Sequence, residues 1–126
     1  MRKIVFAFVA VATVAAFCAC ASVDVAPASS LNNQNIGYKG KTVAHLHANI
    51  WGLYLFDIPL LTASVDNPGS IEILKDTVTV GNAAKLLTAK SNELGAKETY
   101  NLVTTHATMP FLIGFREVSM SANALR

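Results

Sequence analysis

The stretch 76–96 reads DTVTVGNAAKLLTAKSNELGA. Val80, Ala84, Leu87, Ser91 and Leu94 recur at steps of three and four, so they share one side of a helix. Ala83 widens that stripe, while Lys85, Thr88, Asn92 and Glu93 fall on the flank or the outside. Asp76 and Thr77 are both suitable N-caps, Gly81 weakens the first turns, and Gly95 is a good residue to end on. This is the only well-formed amphipathic helix in the part of the chain beyond residue 40, where everything else reads as strand or connection. The helix is therefore expected to cover a small sheet.

Upstream, 42–56 reads TVAHLHANIWGLYLF, the longest strand candidate. Val43, His45, His47 and Asn49 fall on one side, and Ala44, Leu46, Ala48 and Ile50 on the other. That alternation predicts a half-buried antiparallel strand with the aliphatic set inward. From Trp51 the pattern turns continuously apolar, with Gly52 marking a bulge or bend. The following residues, up to the helix, hold Pro59, Pro68 and Gly69 and are read as an irregular apolar excursion with a turn at 66–69. Downstream, 98–105 and 111–124 read as two strands joined by a turn at Thr108, Met109 and Pro110. In the last, Arg116, Val118, Met120 and Ala122 alternate with Phe115, Glu117, Ser119 and Ser121. The expected fold is α+β: a small antiparallel sheet in the order strand–helix–strand–strand, with one helix packed on one face, preceded by a signal peptide.

The signal is read from residues 1–19. Arg2 and Lys3 form a basic start, and 4–17 is an uncharged apolar run ending in small residues. That run is too short for a membrane-spanning helix. Both cysteines of the chain, Cys18 and Cys20, sit at its end. The segment Ala16-Phe17-Cys18-Ala19-Cys20 resembles a lipobox, where a bacterial signal peptidase cuts before a Cys carrying diacylglycerol. Small Ala19 makes Cys20 the fitting lipid-bearing residue. Phe17 and Cys18 depart from the usual Leu and Ala or Ser. Ordinary cleavage around Ala19-Cys20-Ala21, giving a soluble periplasmic or secreted protein, also fits the small residues there. Ala21 after Cys20, in place of the Asp that favours inner-membrane retention, implies the outer membrane. Residues 20–40, rich in Ser, Asn and Gly, are read as a flexible tether, and 41–126 as a single domain.

Charge and cysteine usage narrow the function. The chain has ten Lys and Arg against eight Asp and Glu. With Arg2 and Lys3 in the signal, the remainder is balanced and has no run of like charges. No nucleic-acid partner and no polybasic lipid contact is expected. A lipidated Cys20 leaves no thiol for a disulfide, a nucleophile or a metal. No Gly-x-Ser-x-Gly elbow, His-Glu-x-x-His, phosphate loop or dinucleotide fingerprint is present, so neither an enzyme nor a cofactor is expected.

The ending KSNELGAKETYNLVT is similar to a motif in small bacterial envelope lipoproteins, where a helix ends in Leu-Gly-Ala and runs directly into a strand. Here those residues are Leu94, Gly95 and Ala96. The resemblance is to uncharacterised TRL-like lipoproteins and, more distantly, to YbjQ-like and RcsF-like α+β domains. It implies an envelope location and a small α+β domain. It implies no chemistry.

Two functional readings follow. The first is a non-enzymatic lipoprotein of the cell envelope, held at the membrane by Cys20 and binding another envelope protein or itself. Its contact surface is read at Trp51, Tyr54, Phe56, Leu60 and Leu61, because an apolar loop exposed beside a membrane often contacts a partner or lipid, the alternative being that it packs onto its own core. The second is a small-ligand or metal-binding periplasmic protein. His45 and His47 lie about 7 Å apart on one side of a strand. His106, with Asp57 or Glu117, would complete a site for zinc or copper.

Overall fold

The computed structural model describes residues 21–36, 40–110 and 112–126. The element order is β1 (Ser22–Pro27), a short 3-10 turn (Ala28–Leu31), β2 (Thr42–Leu55), β3 (Ile58–Ala63), β4 (Ile71–Ile73), α1 (Val80–Glu93), β5 (Glu98–Met109) and β6 (Ile113–Leu125). All pairings are antiparallel. The order across the sheet is β4-β3-β2-β6-β5, and β1 lies on the same strand, β2, at its opposite end from β3.

This overturns the expected strand–helix–strand–strand α+β arrangement. The described residues are mostly antiparallel sheet, six strands with a single α-helix. Three extra strands come from segments read as tether and excursion. In the tether region, Val23 and Val25 pack against the core, so Ser22–Pro27 zips along β2 from Ser22↔Asn49 to Pro27↔Ala44. In the excursion, β2 folds back at Phe56-Asp57, both with positive φ (47° and 66°), into β3. A two-residue turn of this kind normally carries Asn-Gly, so Phe-Asp gave no signal for it. Pro59 stands opposite Tyr54, next to the register break at Leu53/Tyr54. It lies on the part of β3 that β4 does not reach, where its missing N–H costs little. The expected signal peptide, residues 1–19, lies outside the described residues.

The core forms where α1 lies on β2 and β6. Ala44, Leu46, Ala48 and Ile50 of β2 are buried, as the alternation required, with Val118, Met120, Ala122 and Ala124 of β6. Across the two strands Leu46 faces Ala122 and Ala48 faces Met120. Each large side chain thus meets a small one, which levels the floor under the helix. The helix buries Ala83, Leu86, Leu87 and Ser91, a stripe rotated from the expected one: Val80 is exposed and Leu86 is covered. Its N-cap is Thr79, whose hydroxyl accepts from the Asn82 N–H at 3.2 Å. Asp76 and Thr77 are occupied elsewhere: Thr77 donates to the Ala63 carbonyl at 2.6 Å, and Asp76 accepts from Tyr54.

The helix ends in a Schellman cap. Gly95 takes φ +73°, its N–H donates to the Asn92 carbonyl, and the Ala96 N–H reaches Ser91. Leu94-Gly95-Ala96 make this cap and set the short path into β5.

Gly52 sits in β2 where the backbone is most crowded. A Cβ there would lie 2.7 Å from Thr62 Cγ2 and 3.1 Å from both the Leu61 carbonyl and Val78 Cγ2. Gly52→Ala is expected to destabilise the fold by about 1–3 kcal/mol, read as a lowered urea midpoint with an unchanged slope.

Candidate functional site

Two turns lie side by side at one end of the sheet. Leu55, the last residue of β2, pairs with Ile113, the first of β6, and Met109 at the end of β5 pairs with Phe115. The Phe56 N–H donates to the Leu112 carbonyl at 3.4 Å, which ties the β2–β3 turn to the β5–β6 turn. Phe56, Ile58, Met109, Leu112 and Ile113 project from this tip, each between 57% and 70% exposed. Single exposed apolar residues are ordinary, but five on two adjoining turns make a patch. Phe56 also holds a left-handed backbone conformation that favours glycine or asparagine. Neither packing nor backbone geometry calls for a Phe there.

Beneath the patch is an open cleft of about 350 Å³. Its floor and walls include Tyr54, Asp57, Thr108, Gly114, Phe115 and Arg116. Tyr54 is buried, and its O–H donates to Asp76 Oδ1 at 2.6 Å. That carboxylate oxygen also accepts from the Val78 N–H at 3.1 Å, so one Asp joins the sheet to the approach to α1. Burial and the Asp76 carboxylate together push the Tyr54 phenol well above its ordinary range, while nearby Arg116 opposes the shift. The Arg116 guanidinium lies 4.5 Å over the Tyr54 ring and donates to Asp57 Oδ1 at 2.6 Å. Asp57 is largely in water, so the pair contributes little stability. Its effect is to leave the tip without net charge.

The candidate metal residues do not converge. His45 and His47 do share one side of β2, the side away from the helix. His45 Nδ1 is 2.7 Å from Asn123 Oδ1, and His47 stands between Asp24 of β1 and Ser121 of β6. His106 pairs with Val118, which in turn pairs with Ile50, so it belongs to the helix side of the sheet. Of the two carboxylates, Asp57 is at the tip, and Glu117 accepts from Asn49 Nδ2 at 2.6 Å and from Ser119 at 3.1 Å. Among the described residues no group of three His, Cys, Asp or Glu is placed to hold a metal ion. The alternation of His45 and His47 was legible, but the side on which His106 falls depends on the bulge in β5.

The candidate contact residues are also scattered. Tyr54 belongs to the core, and Trp51 is half-buried on the uncovered side with its ring 5.5 Å from Phe115. Leu60 and Leu61 are half-buried in β3. Only Phe56 reaches the tip. Ile58, Met109, Leu112 and Ile113 were missed, because they come together only when the pairing of β2 with β6 sets the two turns side by side. Cys20 lies outside the described residues. Among the described residues no helix is long and apolar enough to cross a membrane.

Tyr54→Phe removes the bond to Asp76 while keeping the ring under Arg116. It is expected to cost about 1–3 kcal/mol in urea unfolding at neutral pH. The folded state holds the phenol proton more tightly than the unfolded chain. That contribution is complete below the ordinary tyrosine value of 10.0 and is lost as the pH rises past it. The variant should therefore lack part of the alkaline decline in stability seen for the parent.

Compared with protein-family models, curated proteins and solved structures, the chain matches none.

Proposed function

We propose that the protein is a non-enzymatic lipoprotein of the bacterial cell envelope, anchored through Cys20, that binds an apolar surface on another envelope component through its tip. The observation that carries the binding role is the exposed set Phe56, Ile58, Met109, Leu112 and Ile113 on two tied turns. The anchor rests on the sequence of residues 1–20, with its basic start, apolar run and Ala19-Cys20 end. An outer-membrane location follows from Ala21 behind the lipid-bearing residue.

The structure alters how such an anchor works. Ala21 is buried and β1 begins at Ser22, so the spacer expected over 20–40 is not there to use. A lipid on Cys20 would then hold the sheet close against the membrane surface, because the next residue, Ala21, is already packed in the core. The 32–36 segment instead runs beside the sheet, where the Ile36 carbonyl accepts from Asn123 Nδ2 at 3.3 Å.

The test is lipid labelling and fractionation. Growth with radiolabelled palmitate should mark the native protein in the membrane fraction, and Cys20→Ala should lose the label and leave that fraction. Unchanged labelling and sedimentation in Cys20→Ala would sink the anchor. A second pair of variants addresses the tip. Phe56→Asp and Ile113→Asp, both at exposed positions, should keep the thermal midpoint within a few degrees. Both are made in the Cys20→Ala background, which has no acyl chain, and should lose the retention on octyl-agarose that Cys20→Ala alone shows.

A further inference from the structure

We propose that the protein self-associates as a two-fold dimer through the outer edge of β5, which pairs antiparallel with β5 of a second copy. This inference does not rest on the anchor at Cys20, and it shares only Met109 with the tip.

A strand at the rim of a sheet offers a row of unpaired N–H and C=O groups, and natural sheets guard such rims. The other rims here are guarded. β1 is six residues long and carries Asp24 and Pro27. β4 is three residues long with Glu72 at its centre, paired to Lys75 at 3.5 Å. The part of β3 beyond β4 carries Pro59. β5 differs. It runs twelve residues, and among the described residues no strand pairs with its outer side. Its first part is protected by Glu98 and by a bulge at Tyr100/Val103, where Asn101 takes φ +58°. After the bulge, 103–109 reads VTTHATM, with no Pro, no Lys, Arg, Asp or Glu, and four residues that are Val or Thr. All but Thr104 are exposed. That is the pattern of a strand that pairs.

The guarding of the other rims selects the occupant. Pairing β5 to β1 or β4 of another copy would leave part of its row unmatched and would meet Asp24, Pro27 or Glu72. Pairing β5 to itself matches the whole run. The overlap of 103–109 with its own antiparallel copy is greatest when centred on His106. Val103 then faces Met109 of the second copy, Thr104 faces Thr108, and Thr105 faces Ala107. No Asp, Glu, Lys or Arg meets another across the seam. Val103 and Met109, now 51% and 60% exposed, cover one another. The contact uses the one unguarded rim among the described residues, so association stops at two. The result is a continuous sheet with both helices on the same side.

The experiment uses the full chain in mild detergent, with mass by light scattering over a dilution series. The parent should weigh twice the chain mass at high concentration. Thr105→Lys places two ammonium groups near the axis and should weaken association roughly tenfold or more with an unchanged circular dichroism spectrum. Single Cys substitutions at 104–108 should give disulfide dimers above the parent's background, strongest for His106→Cys. A parent monomeric at every concentration overturns the proposal. So does a dimer that Thr105→Lys leaves intact, or cross-linking that does not peak near 106.

Discussion

The fold depends on how closely α1 can approach the paired strands β2 and β6. Those strands run together from Thr42↔Leu125 to Leu55↔Ile113. On the helix side they set alanine against leucine and methionine, so neither strand alone supplies the bulk. Ala83, Leu86 and Leu87 of the helix then close the core. A second large residue at Ala48 or Ala122 would lift the helix off its neighbours, and overpacking of this kind is costly. The remaining strands attach to this sandwich of one helix on two strands. β5 extends it on one side, β1 and β3 divide the rim of β2 on the other, and β4 adds a short end.

In β2, where the period of two is strict, reading and structure agree residue by residue, while the helix stripe is rotated so that Leu86 replaces Val80 on the buried side. Ala44, Leu46, Ala48 and Ile50 point inward, and Gly95 ends the helix with a positive φ. The reading fails where the local signal is weak or masked by composition. The Val-x-Val of β1 sits among Ser, Pro and Asn, which suggest linker, and its strand character comes from pairing with β2. The β2–β3 turn uses Phe-Asp, which no turn rule anticipates. The helix cap shifts to Thr79 because Asp76 and Thr77 are taken by Tyr54 and Ala63, partners distant in sequence.

The same division holds for the site. Apolar character around 51–61 was visible, and Phe56 belongs to the tip. The other half of the patch comes from 109–113, more than fifty residues later, and only the pairing of β2 with β6 brings the two turns together. The three histidines show the reverse case. Their number and spacing suggested a metal, but strand geometry separates them onto two sides of one sheet.

The pairing of Thr42 with Leu125 also sets the order in which the chain can fold. β2 has its principal neighbour in β6, which follows the helix in the chain, and the helix has no complete floor until both are present. Hairpins such as β2–β3 can form early, but the core cannot close while β6 is still being made. Contacts this distant in sequence slow folding and leave apolar strands uncovered meanwhile. Until β6 is added, the inner sides of β2 and α1 have only each other to cover them.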